Sequence, residues 1–91
     1  MITMDDIAGL SDLTRAEIDA IAEHEHIPEL AAAALGDYMM HIHKGPQRVQ
    51  AMICDDIRDA LHRDDPKHAR TLFETLRRFV AAHPEAIRGS L

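Results

Sequence analysis

Cysteine and long apolar runs are both scarce in this chain. Cys54 is the single cysteine among 91 residues, which excludes an internal disulfide and is typical of a reducing compartment, so we expect a cytoplasmic protein. The first residues contain no basic segment followed by an apolar one, so we predict no signal peptide. No apolar run approaches the roughly 20 residues that cross a bilayer, so we expect no membrane partner.

Basic residues are nearly absent from the first half of the chain. Residues 1–43 contain nine acidic residues and one basic residue, Arg15, whereas residues 44–91 contain seven acidic and nine basic residues. The halves therefore carry charges of about −8 and +2. This division excludes duplex nucleic acid as the main partner, because such binding depends on cations placed against phosphates. It is compatible with attraction between the halves, within or between chains, or with a solvated acidic surface.

Sequence motifs that carry catalysis are also missing. The glycines are isolated, so there is no glycine-rich phosphate loop, and no Cys-His-acid arrangement surrounds Cys54. We therefore predict no catalytic residue, and we rank an acid–base enzyme last among the possible functions.

Helical periodicity and helix-end signals predict one all-α domain over residues 1–91. Thr14 and Glu17 have the spacing of a capping box, and prolines at positions 28, 46 and 66 suit the first turns of helices. His26 and the residue after it mark a break or a sharp kink. We predict a small bundle of four main helices, at about residues 14–26, 28–43, 46–63 and 66–83, after a short helical turn over residues 3–9.

The second predicted helix is apolar on every side. Alanine is the best helix former, and few polar residues remain to face water, so we predict that this helix is the buried centre of the bundle. A chain of this size buries only roughly 60–65% of its unfolded surface, so a second copy is an economical way to extend the core. We expect a homodimer contact within residues 31–40. The apolar residues are Leu30, Ala31, Ala32, Ala33, Ala34, Leu35, Tyr38, Met39 and Met40.

Acidic and imidazole side chains form a candidate metal site. The helical period places Glu25 and Asp56 on inward faces, where an isolated ionised carboxylate needs a partner. His26, Glu29 and His41 can complete the ligand set, and such a set suits zinc or non-haem iron. The alternative is structural: Glu25 caps the following helix, and Asp56 bonds to His41 or to an arginine.

Other polar residues are interpreted as surface groups. Seven histidines are many for this length, but His24 and His68 are most simply solvated, and Glu23 points away from the apolar stripe of its helix. The first hypothesis is therefore a small cytoplasmic helical binding or regulatory module that acts as a homodimer or binds another protein. The alternative is a carboxylate and histidine metal-binding bundle.

Overall fold

Five helices account for most of the chain that the structure describes. The computed structural model describes Thr3 and residues 12–88, with α1 (Arg15–Glu25), α2 (Glu29–Met40), α3 (Gly45–His62), α4 (Pro66–Ala82) and α5 (Glu85–Arg88). No strand occurs within these residues, so the predicted all-α bundle of four main helices is confirmed. The short α5 was not predicted. The helical turn predicted over residues 3–9 lies, except for Thr3, outside the described part of the chain.

Local signals fix the ends of the helices. The Thr14 hydroxyl accepts a hydrogen bond from the Glu17 amide, at 3.2 Å, and the Glu17 carboxylate accepts one from the Thr14 amide, at 2.8 Å. This reciprocal capping box satisfies two amides that have no partner inside α1. His26 has a φ of 55°, in the left-handed region. The chain therefore breaks between α1 and α2, as the sequence predicts.

The α3 helix, and not α2, is the centre of the fold. It packs against each of the other four helices, whereas α2 contacts α1 and α3 alone among the described elements. The prediction of a buried α2 is therefore wrong for one side of the helix. Small alanine side chains make a thin layer, and the larger apolar residues of the other helices fill the core instead. The largest fully buried side chains are those of Ile18, Ile21, Val49, Ile53 and Phe79.

Two glycines allow the close approach of α2 to its neighbours. A Cβ atom at Gly36 would lie 2.4 Å from Leu13 Cδ1 and 3.0 Å from Ile21 Cδ1. A Cβ atom at Gly45 would lie 1.5 Å from the Met39 carbonyl oxygen, which belongs to the backbone. The turn between α2 and α3 is thus closed so tightly that Gly45, the first residue of α3, can carry no side chain.

None of the helices in the described ranges combines the length and the apolar composition needed to span a membrane.

Candidate functional site

The five residues predicted as metal ligands lie at separate places. Glu25 is exposed, and its Oε2 atom lies 3.2 Å from His24 Nδ1. His26 is exposed at the end of α1. Glu29 pairs with the Arg15 guanidinium at 3.2 Å. No group of three or more His, Cys, Asp or Glu side chains in residues 12–88 is placed to hold a metal ion.

His41 is the fourth of these residues, and it bonds within its own helix end. Its Nδ1 atom donates a hydrogen bond to the Asp37 carbonyl oxygen, at 2.6 Å, and its side chain is 64% exposed. This hydrogen bond raises the pKa of the His41 imidazole above its ordinary value. The imidazole is therefore directed back along α2, and no ion pair of the described chain joins it to Asp56.

Glu25 does not face inward as the sequence predicts. The helical period that places it on the buried face of α1 ends at this residue, because the chain turns left-handed at His26. The exposed carboxylate does not cap α2 either, since no side chain of the described residues caps the start of α2. Glu25 lies instead on the rim of a surface groove next to Asp55 of α3.

Asp56, the fifth residue, is the one that turns towards the interior. The residue is half-buried, and its Oδ2 atom is buried without a hydrogen-bond partner among the described residues. Burial raises the pKa of this carboxyl, and the charge of Glu23 adds to the rise while His24 opposes it. No ion pair among the described residues links Asp56 to an arginine, so the alternative interpretation is not realised here.

Two histidines that the sequence assigned to the surface connect helices. His68 Nε2 of α4 lies 2.6 Å from Glu23 Oε1 of α1, in a half-buried position. His24 lies between Glu25 Oε2, at 3.2 Å, and Asp55 Oδ2, at 3.9 Å. The sequence does contain a signal for the contact of Glu23 with His68, namely the small residue Ala20. Ala20 is buried, so the packed face of α1 extends around the helix as far as Glu23.

One side of α2 presents apolar residues to solvent. Leu30 and Tyr38 are eight residues apart, so they lie on the same side of the helix, and they are 62% and 63% exposed. Ala31 and Ala34 lie exposed between them, whereas Ala32, Ala33, Gly36 and Met39 form the buried side. We call the exposed side, formed by Leu30, Ala31, Ala34 and Tyr38, the α2 face.

A groove of about 320 Å³ continues the α2 face towards α3. Its charged rim residues are Arg48 and Asp55 of α3 and Glu25 of α1. The Arg48 guanidinium forms no ion pair with any described residue. Asp55 accepts a hydrogen bond from Arg58, at 2.9 Å. The apolar residues that line the groove are Leu35, Tyr38, Met39, Ile42, Ala51 and Met52.

A larger groove of about 490 Å³ lies between the start of α1 and α4. The hydroxyls of Thr71 and Thr75 in its wall donate to carbonyl oxygens of their own helix, at 3.2 and 3.1 Å. Arg78 pairs with Glu74 at 3.4 Å. Most polar groups of this groove are thus satisfied by their own helix, and few of them are directed at a ligand.

The α2 face and the adjoining groove are therefore the candidate functional site. They combine exposed apolar side chains with a guanidinium that has no ion-pair partner in the described chain. Such a surface is suited to contact with another protein surface. No protein family, curated protein or solved structure matches this chain.

Proposed function

We propose that this protein is a small helical binding module that works as a homodimer through the α2 face. The observation that supports the proposal is the exposure of Leu30 and Tyr38 on one side of a helix. Fully burying a large apolar side chain contributes about 1.5–3 kcal/mol. Burial of these side chains between two protomers therefore stabilises the dimer relative to the monomer.

The alanines of the α2 face favour a helix as the opposing surface. Ala31 and Ala34 are exposed between Leu30 and Tyr38, and small side chains let two helix axes approach towards the lower end of the usual 8–10 Å. The α2 face of a second protomer has the same two large and two small side chains, so it is such a helix. The proposal places the module in the cytoplasm, because a single cysteine suits a reducing compartment.

The test is the mass of the untagged protein in solution. Sedimentation velocity across the micromolar range is expected to show a concentration-dependent dimer. Tyr38→Ser is expected to shift the protein towards monomer, whereas Phe73→Ser is the matched control. Phe73 is also a large exposed aromatic residue, at 56%, but it lies on α4, which does not contact α2 in the described chain. A wild-type protein that stays monomeric at the highest concentration contradicts the proposal.

A metal-binding bundle is the second candidate, and one observation favours it. The buried Oδ2 atom of Asp56 has no hydrogen-bond partner in the part of the chain that the structure describes, and a bound cation is one way to satisfy a buried carboxylate. In this alternative the ion is zinc or iron, and Glu25, His26, Glu29 or His41 move to complete the site. Elemental analysis of untagged protein separates the candidates, because the binding module requires no stoichiometric metal and the alternative does.

A further inference from the structure

We infer that the partner of the α2 face is a second copy docked antiparallel, with Arg48 of each protomer against Glu25 and Asp55 of the other. The inference rests on the proposed homodimer and adds its orientation and its polar contacts. It extends the interface from the α2 face into the groove between α2 and α3.

The α2 face alone is too small for a stable interface. With 12 residues, α2 is about 18 Å long and about 10 Å wide, so its footprint is about 200 Å². A stable interface buries about 800 Å² of accessible surface on each partner. A second copy must therefore also cover the neighbouring surface, and the groove lined by the partly exposed residues Leu35, Ile42 and Met52 is the apolar surface that continues the face.

The charges on this groove are separated along its length. Arg48 and Asp55 are seven residues apart on α3, so they are about 10 Å apart along the helix axis. Arg48 lies near the turn between α2 and α3, whereas Asp55 lies near the end of α1, where Glu25 is also placed. His24 contacts both Glu25 and Asp55, which keeps these two carboxylates together at one end.

This charge distribution is complementary to itself after a two-fold rotation. A two-fold axis through the middle of the groove exchanges its two ends, because the same patch of both subunits forms such an interface. The basic end of one protomer then meets the acidic end of its partner, and the reverse contact forms at the same time. A parallel arrangement would bring like charges together, which costs free energy.

The available charges fit this orientation. Arg48 forms no ion pair with the described residues of its own chain. The acidic end already contains Arg58, which bonds to Asp55, but among the described residues Glu25 has only the imidazole of His24 as its partner. A guanidinium arriving from the second protomer therefore meets an end with more acidic than basic side chains.

Complementary charge reversal tests the orientation directly. The first variant is Arg48→Glu, and the second carries Glu25→Lys and Asp55→Lys. Each variant alone places like charges at both ends of the homodimer, so we expect its dissociation constant to rise at least about tenfold. An equimolar mixture restores opposite charges at both ends. Native mass spectrometry, which distinguishes the two chains by mass, is expected to show a heterodimer in the mixture and little of either homodimer.

The control variant is Arg70→Glu, which makes the same charge change on α4, at an exposed arginine that forms no ion pair in the described chain. We expect it to dimerise like the wild type. Circular dichroism checks that each variant keeps its helices, and Glu25→Lys alone replaces the double variant if the latter does not fold.

Three results overturn the inference. If the wild type dimerises and Arg48→Glu behaves like Arg70→Glu, the orientation is wrong and the homodimer stands. The orientation is also wrong if both groove variants are monomers but their mixture forms no heterodimer. If the wild type is a monomer, with or without another bound polypeptide, the proposed homodimer fails together with the inference.

Discussion

Truncation of Leu30 gives a quantitative test of the α2 face. Leu30 is 62% exposed in the monomer, and complete burial of a leucine side chain contributes about 1.5–3 kcal/mol. If the dimer covers the exposed part, each protomer gains about 1–2 kcal/mol from this side chain, and the dimer gains about 2–4 kcal/mol. Because about 1.4 kcal/mol corresponds to a factor of ten, we expect Leu30→Ala to weaken dimerisation more than tenfold.

Leu61→Ala is the control for this substitution. Leu61 is exposed to a similar extent, 56%, but it lies near the C-terminal end of α3. Alanine keeps the helix propensity of both positions high, and exposed substitutions usually change the free energy of unfolding by less than about 0.5 kcal/mol. Sedimentation equilibrium gives both dissociation constants, and urea unfolding checks the monomers. Equal dissociation constants for Leu30→Ala and Leu61→Ala would refute the assignment of the interface to the α2 face.

Two further predictions concern the stability of the fold. Gly45→Ala places a Cβ atom against the Met39 backbone oxygen. We therefore expect the free energy of unfolding to fall by several kcal/mol and the melting temperature to fall in calorimetry. An unchanged melting temperature would contradict this expectation. Because burial raises the pKa of Asp56, the folded protein holds the Asp56 proton more tightly than the unfolded chain, and the ionised carboxylate destabilises the fold above that pKa. Asp56→Asn is therefore expected to stabilise the protein near neutral pH, with a gain that disappears as the pH falls to about 4. Urea unfolding measures this difference, and Asp59→Asn, at an exposed position of the same helix, is the control that we expect to show no such change.

Short-range features of the fold could be read from the sequence. The capping box of Thr14 and Glu17 involves residues three apart, and it has the predicted contacts. The Asp65 carboxylate caps α4 over the same separation, because it accepts a hydrogen bond from the His68 amide at 3.2 Å. The break at His26 follows from Pro28, which cannot continue the hydrogen-bond ladder of α1. These signals are local, so they do not depend on how the helices pack.

Which side of each helix is covered could not be read in the same way. An apolar helix such as α2 is compatible with burial on all sides or on one side, and the choice depends on which neighbours reach it. The prediction that Glu25 faces inward is wrong because it extends the helical period to the last residue of α1. The contact of Glu23 with His68 joins residues 45 positions apart. No local pattern encodes a contact of this separation.

The central position of α3 has a consequence for how the chain folds. The α3–α4 pair is joined by a turn of three residues, so these two helices can meet with little loss of chain entropy. Bundles with such local contacts fold rapidly, in microseconds to milliseconds. We expect the α3–α4 hairpin to form the folding nucleus, and the α1–α2 segment to dock onto it afterwards. The α2 face would then form late, after α3, which provides the other wall of the adjoining groove, is already in place.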